Sequence, residues 1–393
     1  MHLAILTPSF LPIYNGMTFA TMQHASMLTE LGHRVTVVAA CPIDHRASVE
    51  ASLYERGISF LAVDIAGSGL PSRPIVGNVE GFIESISTLG VKLLLVEGRY
   101  FWGYHLITLM KRKGLHLALI SHGSADSRFK LSIFSAAKWA AYSLYHWRYE
   151  RSILPMIDAV ALLSAHEDNE RFRDAKLFRR YGISPVIIGN TSVESVVRGV
   201  QKIARSLGKI RIAVVGEMSP TKNQLACIEL ARGNQAISFI KFYFQAENEY
   251  SLLVEKMARK SALTNFQYII GLNREEIIRS LGDIDLILCL SKTEAQPLAI
   301  VDGLACGVPF LSTPVGCMPS MRGGLVSKVS GMRRIIERLS SDPSALEDLA
   351  HEARLFFEKM HSESAVKPAL AALISAAMIY KSGDARAEGA LNV

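Results

Sequence analysis

Cysteine is scarce: five residues (Cys41, Cys227, Cys289, Cys306, Cys317) in 393, mostly inside apolar runs, odd in number and without a C-x-x-C pair. That pattern excludes a disulfide framework, argues against a zinc site, and fits a reducing cytoplasm. No G-x-G-x-x-G or Walker loop occurs, and "HEDNE" (166–170) lacks the second histidine of a zinc protease helix, so dehydrogenase, ATPase and metalloprotease readings are weak. The longest late apolar run, "ALAALISAAMIY" (369–380), falls short of the roughly 20 residues needed to cross a bilayer and reads as a packed helix. The start, "MHLAILTPSF", has no basic segment before its apolar stretch and reads as a first strand rather than a signal peptide.

What is present is apolar and evenly spread: 49% hydrophobic and 20% charged residues, with no low-complexity tract, describe a chain that buries cores. Lys and Arg outnumber Asp and Glu by 43 to 36, an excess that favours anionic ligands or a phospholipid surface and does not single out nucleic acid. The length suggests two domains, at roughly 100 to 200 residues each.

Near-continuous apolar strands recur through the first half: "LAILTP", "RVTVVAA", "ISFLAVDI", "VKLLLVEG", "HLALISHG", "AVALLSA" and "PVIIGN". They do not alternate, which is the pattern of parallel strands covered on both faces. An apolar stripe over 17–31 (Met17, Ala20, Met27, Leu28, Leu31) predicts a helix stopped by Gly32. "IRIAVVGE", "SFIKFYFQA", "FQYIIGL", "DLILCLS", "VPFLST" and "GLVSKV" repeat the rhythm in the second half. The polar, helix-like 191–209 lies between. The expected organisation is an N-terminal domain over 1–195 and a second over 205–365, then a helix over 366–381 returning toward the first and a frayed tail over 382–393. Both domains are α/β with doubly wound parallel sheets, which leave a cleft between them and bind ligands beyond the carboxyl ends of their strands.

The loop after "DIDLILCL" carries Glu294, Pro297 opens the following helix, and Asp302 lies inside that helix. Asp302 lies about five residues into the helix, about 7 to 8 Å along its axis at about 1.5 Å per residue, so the two acids flank the helix start without sharing a proton. Free amides there attract phosphate and carboxylates chelate vicinal hydroxyls, a layout suited to a nucleotide diphosphate sugar.

These residues carry a resemblance. "SKTEAQPLAIVDGLACGVP" resembles the E-x7-E signature of the retaining glycosyltransferases of family 4, and "TPSFLPIYNGMTFATMQHASMLTELGHRVTVV", "SHG", "LLSAHEDNERF", "IGNTSV" and "VVGEMSPTKNQ" follow that family in order and spacing. The resemblance implies the GT-B fold: two Rossmann-like domains facing across a cleft. It also implies sugar transfer with retention from a nucleotide diphosphate sugar to a glycan or lipid-linked acceptor. The resemblance implies no required metal or other cofactor, and in this family the donor's own phosphate helps deprotonate the acceptor, which fits the lack of an obvious nucleophile and base pair.

By the same resemblance Glu294 and His122 contact the transferred sugar, Asp302 the ribose, and Lys222 the diphosphate. Gly16 lets backbone approach the diphosphate, and Pro297 and Leu298 open the helix beside it. The implied setting is synthesis of a surface polysaccharide (lipopolysaccharide, capsule or exopolysaccharide), in the cytoplasm or peripherally on the inner face of the plasma membrane.

This chain departs from the family at four places. Asp302 replaces a Glu, Ala295 a Gly, "QAEN" (245–248) a glycine-rich turn, and Glu217 an Arg beside the diphosphate. An anion about 4 Å from another costs about 4 kcal/mol at an effective dielectric of 20, so Glu217 is not counted as a phosphate ligand. Other readings remain open: a GT-B binding or partner subunit without turnover, or a sugar-nucleotide epimerase or phosphorylase.

Plainer roles stand beside several residues. Glu294 also fits a solvated loop acid, Asp302 a solvent-facing helix acid, Lys222 a surface lysine, and His122 a locally bonded strand-end histidine. Gly16 fits a turn after Asn15, and His24 and His33 fit core and helix-exit structure. "GDIDL" holds a D-x-D at the amino end of its strand, away from the ligand end, and reads as structural. The segment 128–151, rich in Trp, Tyr, Lys and Arg, suits equally an anionic membrane surface and a helix packed in its own domain.

Overall fold

The computed structural model describes residues 1–67, 74–99, 101–123, 144, 147, 151–165, 174–203 and 208–379. The segment 128–151, apart from Leu144, Trp147 and Arg151, lies outside the described residues, as do "HEDNE" and the tail after 379. The chain divides into two units, Met1–Gly189 with Lys367–Val393, and Asn190–Val366. It therefore passes from one unit to the other twice.

The first unit holds β1 (His2–Leu6), β2 (Arg34–Ala40), β3 (Ile58–Val63), a small antiparallel pair β4 (Ile65–Ala66) and β5 (Val76–Gly77), then β6 (Leu93–Glu97), β7 (His116–Ser121), β8 (Ala159–Leu162) and β9 (Val186–Ile187). Seven of these form a parallel sheet in the order β3-β2-β1-β6-β7-β8-β9. Every residue of β1 and β6 is buried, which is why their sequences are apolar on both faces rather than alternating. Leu6, Leu94, Val96 and Leu119 belong to the core on one side, with Trp102, Tyr104 and Phe178.

The second unit repeats the plan with β10 (Ile210–Val215), β11 (Ile237–Phe244), β12 (Phe266–Ile270), β13 (Leu286–Cys289), β14 (Phe310–Ser312) and β15 (Gly324–Val326), all parallel in the order β12-β11-β10-β13-β14-β15. Its core joins Ile212, Ile240, Phe242, Leu286 and Leu288 to Met332 and Ile336 of the helix Val329–Ser341. In both sheets the strand order reverses beside the first strand, between β1 and β6 and between β10 and β13. That reversal opens a crevice at the strands' carboxyl ends, where doubly wound sheets hold ligands.

Local chemistry explains the helix limits that matter for function. Asn15 caps the helix Gly16–Glu30 by accepting from Thr18 N. Asn248, the last residue of "QAEN", forms a capping box with Ser251 at the start of the helix Glu249–Lys260, so the residues replacing a glycine-rich turn start a helix. The link expected to be helix-like over 191–209 is only briefly helical where it is described. Among its described residues only Glu194–Val197 is helical, because Thr191 and Ser192 are drawn into the hydrogen bonds described below. The C-terminal helix Glu363–Ile379 ties to the first unit through Lys367 Nζ, 2.5 Å from Glu30 Oε2, and His116 Nδ1, 2.9 Å from the Ala377 carbonyl.

Phe242 is fully buried and stacks on Phe266 and Tyr268 at centroid distances of 5.4 and 5.5 Å. Phe242→Ala is expected to destabilise the second unit by about 3 to 5 kcal/mol, read as a fall in its urea midpoint; an unchanged midpoint would contradict this core assignment.

Candidate functional site

In the second unit the reversal point lies between the carboxyl ends of β10 and β13. β10 runs into Gly216, whose φ of 138° is open only to glycine, and Asn223 is left-handed at φ 58°. This loop bonds directly to the loop after β13. Lys292 N donates to Thr221 O at 2.8 Å, and Asn223 Nδ2 to Leu290 O at 3.3 Å. The structure brings Lys222 and Glu294 together across these loops, with Nζ 2.5 Å from Oε1, which also accepts from Ser291 Oγ at 2.8 Å. Both side chains keep access to solvent, 32% exposed for Lys222 and 13% for Glu294. Glu217 is exposed; its carbonyl accepts from Gln224 Nε2 at 2.8 Å.

The acid loop is held from beneath. Thr313 Oγ1 donates to Ser291 O at 2.6 Å, and Cys317 N to Ala295 O at 2.9 Å. Gly316 adopts φ +52°, and a Cβ there would stand 2.1 Å from Ala295 O and 2.5 Å from Glu294 O. "TPVG" is thus the seat of the glutamate loop, and its glycine is required. Gln296 Oε1 accepts from Asn190 N at 2.6 Å, and the Asn190 carbonyl lies 2.7 Å from Nδ1 of buried His361. Burial pushes the His361 ring down to about 4 against the opposing pull of the Asn190 carbonyl.

Pro297 caps the helix Leu298–Ala305 with extended backbone, φ −67° and ψ 121°, so the first helical residue is Leu298 rather than the proline. Asp302, on that helix, is 5% exposed and takes its hydrogen bonds from residues other than Lys222. Its Oδ1 accepts from Ser192 Oγ and Arg274 Nη2, both at 2.7 Å, and Oδ2 from Arg274 Nε at 2.9 Å. Where the sequence suggested a carboxylate for ribose, Asp302 in this structure completes a buried, bidentate ion pair with Arg274. Arg274 Nη2 also donates to Thr191 O at 2.8 Å, which accounts for the short helix in the link region. Neither Arg274 nor Ser192 was marked by the sequence; their only signal was a polar residue at a helix start and one in "NTSV".

In the first unit the corresponding point lies between β1 and β6. Gly16 is the exposed first residue of its helix and has no positive φ, so the turn itself does not demand glycine. At the end of β6, Glu97 is wholly buried and was missed by sequence reading, although an acid closing an apolar strand before glycine ("LLLVEG") was a signal. Glu97 Oε1 is 2.6 Å from His24 Nδ1 and Oε2 is 2.6 Å from His122 Nε2. His24 is the core residue expected and His122 keeps 14% exposure. Burial alone pushes Glu97 upward; the charges and hydrogen bonds of His24 and His122 overcome it and hold the carboxyl at about 2. A second tie joins the same strand ends, Arg99 Nη1 3.5 Å from Asp174 Oδ2, which accepts from Ser121 Oγ.

Two measurements follow. Asp302→Asn strips Arg274 of its buried counter-charge and is expected to cost about 3 to 5 kcal/mol in ligand-free stability; a melting point equal to wild type would mean that Asp302 is not structural. His361, held neutral well below its ordinary value of 6.5, is protonated first in the unfolded chain. Stability is therefore expected to decline as pH falls from about 6.5 to about 4, and His361→Asn to flatten that decline in pH-dependent melting; an equal slope in both proteins would contradict the assignment.

Residues 199–355 match the family model described as Glycosyl transferases group 1. A GDP-mannose-dependent alpha-mannosyltransferase of Mycolicibacterium smegmatis is 27% identical over 178 residues, 42% of this chain and 45% of the relative, so the match spans less than half of that protein. A glycosyltransferase structure from Rickettsia africae superposes with TM-score 0.73 at 14% identity, over 97% of this chain and 99% of its own. Anabaena HepE in complex with UDP gives 0.70 at 13%, over 95% and 100%. The chain therefore has the GT-B fold, and its residues 199–355 match the Glycosyl transferases group 1 family model.

Proposed function

We propose that the chain is a retaining glycosyltransferase of family 4 type, transferring a sugar from a nucleotide diphosphate sugar to a glycan or lipid-linked acceptor in surface polysaccharide synthesis. Its place would be the cytoplasm or the inner face of the plasma membrane. The observation that carries this reading is the Lys222–Glu294 pair at the reversal point of the second sheet, Nζ to Oε1 2.5 Å. An ammonium and a carboxylate side by side at the carboxyl ends of parallel strands match the two ends of a glycosyl diphosphate. Lys222 would leave Glu294 for the diphosphate and stabilise charge on the departing phosphate, freeing Glu294 for the sugar's hydroxyls. The amides opening the helix at Leu298 add a second attraction for the anion. The mannosyltransferase relative makes GDP-mannose a first donor to try, and the UDP complex of HepE makes UDP-sugars the second.

One observation favours a second reading, a binding or partner subunit without turnover: Arg274 and Ser192 occupy both oxygens of Asp302, the residue expected at the ribose. Such a subunit would give a calorimetric signal with nucleotide or acceptor and no product.

Glu294→Ala and Lys222→Ala are each expected to lower sugar-nucleotide turnover by about 100-fold or more, the scale of losing one electrostatic contact to developing charge. Wild-type turnover in both variants would remove the proposed site.

A further inference from the structure

The carboxylate of Glu97 has only imidazoles for hydrogen-bond partners among the described residues. It closes β6, at the reversal point of the first sheet, and is 0% exposed. A carboxylate so buried is costly unless its oxygens are paired with donors. Here each oxygen takes one ring nitrogen at 2.6 Å, His24 Nδ1 on Oε1 and His122 Nε2 on Oε2. The surroundings keep it from turning. Gly98 follows at φ +89°, closed to other residues at low cost, its N–H donates to Ile120 O at 2.8 Å, and Met17 Cε lies 3.4 Å from where a Cβ would stand. The helix Gly16–Glu30, through His24 in its third turn, the end of β6 and the end of β7 thus converge on one carboxylate. An apolar residue would fill a strand end without this charge, and one histidine would suffice to satisfy a single oxygen.

We propose that Glu97 is a positioning residue for His122, with His24 as the clamp on its second oxygen. A carboxylate offers no proton, so Nε2 of His122 must carry one to donate to Oε2, as Nδ1 of His24 must to donate to Oε1. The ring of His122 is thereby fixed in orientation, and Nδ1 is the nitrogen left for a substrate hydroxyl. His122 was assigned to the sugar only by resemblance; the new element is the acid behind it, whose identity decides which nitrogen faces the ligand. This inference rests on the proposed function for its consequence, but not for its geometry.

Glu97→Gln keeps the shape and replaces one acceptor oxygen by an amide that donates, so one of the two histidines meets a donor where it needs an acceptor. Nitrogen-15 NMR of the histidine rings, on the full chain with His24→Asn and His122→Asn used for assignment, reads this directly. In wild type, His122 is expected to be protonated at Nε2 and His24 at Nδ1. Rapid averaging of both tautomers at His122 in wild type would overturn the proposal, and that measurement needs no glutamine variant to fold. In Glu97→Gln the ring signals of His24 or His122 are expected to change tautomer; unchanged signals at both would also overturn it.

With GDP-mannose and UDP-glucose as probes, Glu97→Gln is expected to lower kcat about ten-fold or more while KM stays within about three-fold, the scale of an orienting partner behind a working group. Turnover by wild type with an equal kcat in Glu97→Gln would defeat the positioning role and leave the glycosyltransferase reading intact. Failure of wild type on every nucleotide sugar would defeat that reading instead, and the tautomers would then decide Glu97 alone.

Discussion

The ion pair between Lys222 and Glu294 is the interaction on which the candidate site depends. It exists because β10 and β13 lie side by side where the order of the second sheet reverses, so the loops leaving them meet. Backbone bonds between those loops bring the ammonium and carboxylate to 2.5 Å, and Gly316 leaves space beneath the acid that any side chain would fill. Such a pair is neutral and partly solvated at rest. An anion that competes for Lys222 releases the carboxylate, so binding of a phosphate and availability of Glu294 are linked by charge.

The first unit uses the same topological position differently. There the acid is buried and the partners are histidines, so charge is held in the protein instead of offered to a ligand. Glu97 would set which nitrogen of His122 is exposed, as His361 and Asn190 set the backbone leading to Gln296 in the second unit. Asp302 belongs to this second class as well. With Arg274 and Ser192 on its oxygens it fastens the link segment, and the methylene it lacks relative to glutamate keeps its carboxylate close to its own helix.

Both sheets were legible in the sequence because parallel strands covered on two faces leave near-continuous apolar runs, and all thirteen strands of the two main sheets overlap the runs read from the sequence. The acid loop was legible because an acid in a small-residue loop follows a buried strand, whereas Lys222 and Gly16 were named only through the family resemblance. Arg274, Ser192 and Glu97 were not legible, since each acts through partners far away in the chain: Asp302 lies 28 residues from Arg274 and 110 from Ser192, and Glu97 lies 73 from His24. Periodicity carries no record of such pairings. The link over 191–209 looked helical for the same reason: its propensity is local, and the hydrogen bonds that override it are not.

The most direct measurement is thermal unfolding of wild type and Lys222→Ala across a panel of nucleotide diphosphate sugars, GDP-mannose and UDP-glucose included. The expected result is a rise of about 5 °C for wild type with at least one donor at a hundred-fold excess over its Kd, and a much smaller rise for Lys222→Ala. No rise in wild type with any donor, or an equal rise in both proteins, would contradict a diphosphate held at the Lys222–Glu294 pair.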